Sequence, residues 1–258
     1  MDTKALSISD IQELVNEIKV DEYPLYIDLF LNDPRKGVQK IGKQLEIQYK
    51  RILHEKRRIE KMKYFENRLY LSGCTTIAGV DEVGRGPLAG PVVAAAVILP
   101  RDYILLEAND SKKLTEKKRK ELLYYIQKDA LAIGIGVVNQ ETIDEINILN
   151  AAKLAMKKAV KGLPTKPEHV LVDAINIDNL GINQTGIIKG DEKCLSIAAA
   201  SIVAKVKRDH FMIEQHEIYP QYDFINNKGY GTEKHYEGLR KHGLCPLHRK
   251  SFLKDYQP

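Results

Sequence analysis

No stretch of the chain approaches the roughly 18 unbroken apolar residues that a membrane span requires. The opening sequence, MDTKALSISDIQELVNEIK, has no apolar core behind a basic start, so no secretory signal is expected. Cysteine is scarce: Cys74, Cys194 and Cys245 are odd in number, far apart and lack a Cys-x-x-Cys pairing. They read as reduced thiols, and a cytoplasmic location is expected. Neither charge sign dominates, with 40 Lys+Arg against 35 Asp+Glu and a net charge of +5. At 43% hydrophobic and 29% charged residues, the composition excludes a fully disordered chain, a collagen and a coiled-coil rod. Its 258 residues suffice for one large domain, or one domain with an appendage.

Glycine is scarce before residue 70 and common after it, so a helical segment is expected over 1–70. Ser9 or Asp10 can cap a helix carrying Ile11, Leu14, Val15 and Ile18 at helical spacing. Asp33-Pro34 ends it, and one long polar helix is expected from Val38 to Tyr70. Between Pro34 and Lys63 stand eleven Lys/Arg against three Glu, a local charge of +8. Such a run is either a solvated helix face or an attractor for phosphates.

From Thr75 the texture alternates between strand and helix, which predicts an α/β sheet domain over 71–220. Apolar runs at Ile77–Val80, Pro91–Leu99, Ala130–Val138 and His169–Val172 read as strands, with a short one possible at Ile187-Ile188. Thr115–Lys128, Thr142–Lys161 and Glu192–Tyr219 read as helices. Residues 221–258 are basic and rich in loops, and read as a helical substrate-binding lobe.

Acids at strand ends are the sharpest chemical signal, because open α/β sheets build sites at the C-terminal ends of strands. Asp81 and Glu82 close one apolar run, Asp173 closes another, and Asp191 follows Gly190 at a turn. Adjacent strand residues face opposite ways, so Asp81 and Glu82 share a ligand only if the strand ends or bulges there. If the four acids converge, their repulsion calls for a hard cation such as Mg²⁺ or Mn²⁺. Ordinary surface or capping acids are the alternative.

Gly79–Gly86 approaches a phosphate loop, but Arg85 and Gly86 stand where Lys and Ser/Thr are required, and Asp81 and Glu82 lie inside it. A nucleotide cradle is therefore rejected in favour of a loop whose Gly84 and Gly86 let backbone approach a ligand, with Arg85 beside it. The spacing His242, Cys245, His248 lacks a fourth zinc ligand. Ser196–Lys205 reads as a tightly packed helix, with Lys205, Lys207 and Arg208 facing either phosphates or solvent. Tyr230, between two glycines, can stack on a base or sugar.

Together, Ala78–Pro91, Asp110–Leu114, Asp144–Asn147, Leu171–Asp173, Lys189–Asp191, Ser196–Asp209 and Asn227–Thr232 resemble, in order, the motifs of bacterial ribonuclease HII. The resemblance covers about residues 75–252. It implies a ribonuclease H-like mixed sheet flanked by helices, with the helical N-terminal extension and C-terminal lobe appended. It implies an enzyme that cleaves the RNA strand of RNA–DNA hybrids and cuts 5′ to single ribonucleotides in duplex DNA; a monomer is expected. The cut leaves 5′-phosphate and 3′-hydroxyl ends and uses two Mg²⁺ or Mn²⁺ ions. Asp81, Glu82, Asp173 and Asp191 match the family's metal ligands, Asp81 and Asp173 being shared between the ions. Gly84, Arg85 and Gly86 match the motif that reads the 2′-hydroxyl, and Tyr230 matches the tyrosine against the junction deoxyribose. The intact Gly-Arg-Gly favours type II over type III. A non-catalytic nucleic-acid-binding module of the same fold is the alternative, with no membrane role in either case.

Overall fold

The computed structural model describes residues 5–254; the outermost ends of the first and last expected segments lie outside these. The chain divides into two compact units, Met1–Glu60 and Lys61–Pro258. This boundary lies about ten residues before the compositional change near residue 70, and residues 221–254 fall within the same unit as the sheet.

The first unit is helical. Helix α1 (Ile8–Glu17) is capped by Ser7, whose hydroxyl accepts from the Asp10 amide while the Asp10 carboxylate accepts from the Ser7 amide. The cap is thus a reciprocal box starting before Ser9. A second helix, α2 (Tyr23–Leu31), precedes Asp33-Pro34, and α3 (Lys36–Met62) follows it. Ile11, Ile18, Tyr23, Phe30, Val38, Ile41 and Leu45 form a buried core. The polar α3 therefore finds its apolar partner in α2, a helix its own sequence conceals. YPLYIDLFL is apolar on most sides and carries no clear 3.6-residue period.

In the second unit the expected long helix restarts after Lys63 as α4 (Tyr64–Leu71). Strands β1 (Ile77–Val83), β2 (Val92–Ile98), β3 (Ala132–Val138), β4 (His169–Asp173) and β5 (Asn183–Ile187) form one mixed sheet. Its order is β3-β2-β1-β4-β5, antiparallel from β3 to β1 and parallel from β1 to β5. Strand β5 replaces the expected Ile187-Ile188 strand and ends where that one began. Helices α5 (Glu116–Asp129), α6 (Gln140–Ile146) and α7 (Ile148–Lys161) lie between β2 and β4. The break between α6 and α7 falls at Asn147, with φ of 66°, whose side chain caps α7 through the amides of Leu149 and Asn150. A short α8 (Gly190–Lys193) precedes α9 (Leu195–Ile218), and α10 (Phe224–Asn227) and α11 (Glu233–His242) complete the unit.

Both faces of the sheet are covered, which explains why β2 is buried along its whole length. On one face Ala78, Val80, Ala94 and Ala96 pack with Ala151, Ala155, Met156 and Ala159 of α7. On the other face α9 comes so near β1 that a Cβ on Gly79 would lie 2.1 Å from the carbonyl carbon of Ser196. Glycine is the residue that permits this approach.

Candidate active site

Two parallel strands carry the central acids. The β1–β4 pairing runs as far as Val80 opposite Val172. Asp81 and Asp173 come next on each strand and lie at the same end of the sheet. An Asp173 oxygen accepts from the Gly190 amide at 2.7 Å. That bond ties down the α8 turn, which begins at the left-handed Lys189 (φ 58°) and presents the buried Asp191.

Glu82 takes a different orientation. Strand β1 neither ends nor bulges at the acids but continues in unbroken register to Val83. Asp81 thus shares the α9 face with Gly79, near Ser201 of α9, whose hydroxyl donates to Ser111 at 2.9 Å. Glu82 shares the face of Ala78 and Val80. Its carboxylate accepts from Arg85 Nη1 at 3.2 Å, while its other oxygen is buried with no hydrogen-bond partner among the described residues. Among the described residues, no three His, Cys, Asp or Glu side chains are grouped closely enough to hold one metal ion as they are oriented.

Electrostatically the acids are one cluster. Burial, then Glu82 and Asp173, hold Asp81 well above the usual carboxylate range, against the pull of Ser201. Burial pushes Glu82 up to about 7 despite Arg85, with Asp173 adding to the rise. Burial, Asp110 and Asp173 push Asp191 up to about 6, opposed by Lys112. An all-oxygen donor set with repelling, desolvated charges and an orphaned carboxylate oxygen fits a hard divalent cation. In Glu82 the oxygen free for such a cation is Oε2, while Oε1 holds Arg85.

The glycine loop is built from behind. Gly84 (φ 95°) has no room for a side chain, since a Cβ would lie 2.3 Å from Arg208 Nε. Arg208 is fully buried and donates to the carbonyls of Pro91, Ala89 and Lys228. Arg208 therefore faces neither phosphates nor solvent, the two alternatives its position left open, and has a structural role. Arg249, equally buried, donates to Gly84, Arg85 and Gly90 carbonyls. Leu88 and Ala89 amides donate to Gly229, joining the loop to the segment that carries Tyr230. Tyr230 is exposed, and its ring lies 3.5 Å from the position a Cβ on Gly86 would take.

Lys205 sits apart from this loop in function. Its ammonium, mostly buried, bonds Asp209 at 2.8 Å and would have to release it to meet a phosphate. Lys207 is exposed. Of the zinc-like spacing, Cys245 and His248 are buried while His242 is exposed, so the three do not converge. Sequence reasoning missed Lys112: partial burial works to lower its pKa, but Asp110, Asp81 and Asp191 outweigh that and raise it. The motif Asp110–Leu114 was its only signal. It also missed Arg249, whose buried guanidinium donates to backbone carbonyls, with Asp144 as its acidic neighbour.

Residues 78–255 match the family model described as Ribonuclease HII, and residues 7–70 match that described as Ribonuclease HII N-terminal domain. A ribonuclease HII of Clostridioides difficile is 49% identical over 249 residues, covering 96% of this chain and 98% of the relative. One from Caldanaerobacter subterraneus subsp. tengcongensis is 57% identical over 199 residues, covering 77% and 83%. The crystal structure of ribonuclease H2 from Pyrococcus horikoshii is similar with a TM-score of 0.58 and 25% identity, covering 69% of this chain and 93% of that one.

Proposed function

The chain belongs to the ribonuclease HII family and is a metal-dependent ribonuclease H, and on that premise we propose that it cuts 5′ to single ribonucleotides within duplex DNA as well as within RNA–DNA hybrids. The observation that carries this reading is the juxtaposition of two features. One is the acid cluster of Asp81, Glu82, Asp173 and Asp191 at the ends of β1, β4 and α8. The other is the loop Gly84–Gly86 seated against Tyr230.

Asp81, Glu82, Asp173 and Asp191 would hold the two Mg²⁺ or Mn²⁺ ions, Asp81 and Asp173 as the shared ligands. Bound there, such ions would supply an activated water and charge compensation at the leaving oxygen, consistent with 5′-phosphate and 3′-hydroxyl ends. The protein's own groups select the substrate. Arg208 and Arg249 turn the loop carbonyls inward, which leaves the exposed backbone at Arg85 and Gly86 to meet a 2′-hydroxyl. Arg85 releases Glu82 and turns to the phosphate, and Tyr230 packs on the neighbouring deoxyribose. Lys205 serves the phosphate backbone only after leaving Asp209. The enzyme acts as a cytoplasmic monomer, and no helix among the described residues is long and apolar enough to cross a membrane.

A labelled DNA duplex with one ribonucleotide tests the proposal, incubated with Mg²⁺ or Mn²⁺ and then with EDTA. One metal-dependent cut 5′ to the ribonucleotide, lost in Asp173→Asn with binding retained, is the expected result. Cutting only of long hybrids overturns the junction specificity. No cutting with either metal favours the non-catalytic binding module.

A further inference from the structure

Helix α3 has two unlike sides. Val38, Ile41 and Leu45 are buried in the core of the first unit. At about 100° per residue, Lys36, Lys40, Lys43, Lys50, Arg51 and Arg57 all project within about 70° of the opposite line. All six are exposed, and the nearest acid of α3, Glu46, stands at the edge of that arc. Among the described residues only Lys50 of the six forms an ion pair, with Glu46 at 2.6 Å. From Lys36 to Arg57 the stripe runs about 32 Å, close to one turn of B-form duplex.

This arrangement opposes folding. Lys36–Lys40 and Lys40–Lys43 are like-charge neighbours at i,i+4 and i,i+3 spacing, which destabilises a helix. The first turn of α3 has no acid and begins with a lysine, the wrong sign for the N-terminal end of the helix dipole. A solvated face gains nothing from such a distribution, since interspersed acids keep a helix equally soluble at less cost.

We propose that this face of α3 is a second nucleic-acid site, which binds the phosphate backbone of duplex DNA without reading sequence or sugar. It requires no metal and no ribonucleotide, and so stands independently of the cleavage specificity proposed above. Lysine and arginine charges along one face suit a polyanion whose charges recur every 1.7 Å of axis. The site raises affinity for long duplexes and leaves the chemical step untouched.

The test uses the full chain and a 30-base-pair all-DNA duplex in EDTA, with affinity measured by anisotropy from 50 to 300 mM salt. The variant is Lys36→Gln, Lys40→Gln, Lys43→Gln and Arg57→Gln combined. A control neutralises Lys128, Lys161, Lys166 and Lys157, which lie on other elements, so that both carry the same net charge. The stripe variant is expected to bind at least tenfold more weakly at about 0.1 M salt. The slope of log Kd against log salt should fall by about 3 to 4, near 0.9 for each phosphate that is no longer neutralised. Its circular dichroism and its kcat on saturating hybrid should match the wild type while KM rises. Unchanged affinity and slope overturn the proposal and leave the face to solvent or to an acidic protein. An equal loss in the control overturns it too, by reducing the effect to overall charge.

Discussion

His235 and His248 share a hydrogen bond, Nε2 to Nε2 at 2.9 Å, in the buried core beneath the Tyr230 loop. Their other partners fix the protons. His235 Nδ1 lies 2.9 Å from the Tyr230 carbonyl, so it is the donor there, and His248 Nδ1 accepts from the Cys245 amide. Both rings are therefore neutral, with His248 donating to His235. A further proton on either ring would set two donors face to face.

From this pair follows a pH dependence of stability. Burial lowers the pKa of His235, and burial together with its neighbour pushes His248 down to about 4. The unfolded chain binds protons at the ordinary value near 6.5, so it takes up more of them than the folded chain between about 4 and 6.5. The stabilisation is fully present above pH 6.5 and is lost as pH falls toward 4. His248→Gln should flatten the fall in Tm across that window, as measured by thermal denaturation from pH 4 to 8. An equally steep fall would mean that other groups carry it.

Asp81→Asn should separate stability from activity. The buried carboxylate is raised by desolvation and by Glu82 and Asp173, so its charged form strains the metal-free fold. An amide keeps an oxygen for the Glu82 amide, which donates to Asp81 at 2.7 Å, while removing the charge. In EDTA the variant should melt a few degrees higher, about 1 kcal/mol or more at this chain size. Cleavage should fall by about a thousandfold or more. Differential scanning calorimetry beside a cleavage assay checks both, and a lower Tm would show that the charge is already accommodated without metal.

Much of this site is legible because strands that end in acids are locally conspicuous. Ile77–Val80 and His169–Val172 announce both Asp81 and Asp173. Asp191 is harder, since its position depends on the left-handed Lys189 and on a bond from Gly190 to Asp173, neither of which has a sequence period. Strand β5 is largely polar and exposed, with burial at Ile187 alone, so no alternation marks it. Arg208 shows the deeper reason for the rest. A cation at helical spacing among other cations looks exposed, but backbone carbonyls far away in sequence can neutralise it inside the protein.

Gly79→Ala should fail to fold. Its Cβ would stand 2.1 Å from the Ser196 carbonyl carbon and 2.3 Å from the Ile197 amide nitrogen, both backbone atoms of α9. Neither can rotate away, so β1 and α9 must separate across the centre of the unit. The cost should exceed the roughly 1–3 kcal/mol of ordinary overpacking. Insoluble expression, or urea unfolding well below the wild-type midpoint, is the expected outcome. A normal midpoint would show that α9 is free to shift.

Arg249→Lys should be damaging although it preserves charge. The guanidinium reaches Gly84 at 2.6 Å, Gly90 at 2.7 and 3.0 Å and Arg85 at 3.1 Å, from three of its nitrogens. A single ammonium cannot span these carbonyls, and at least one would be left buried without a donor. Each missing charge-assisted bond is worth about 1.5–3 kcal/mol, so stability should fall by about that amount. The effect on catalysis distinguishes two roles for the loop. If Gly84–Gly86 holds the substrate, KM for a duplex with one ribonucleotide should rise about tenfold, and the preference for that duplex over all-DNA should narrow. If the loop is only a turn, the variant will unfold more readily while KM and preference stay at wild-type values. Steady-state kinetics at a temperature where both proteins are folded separates the two.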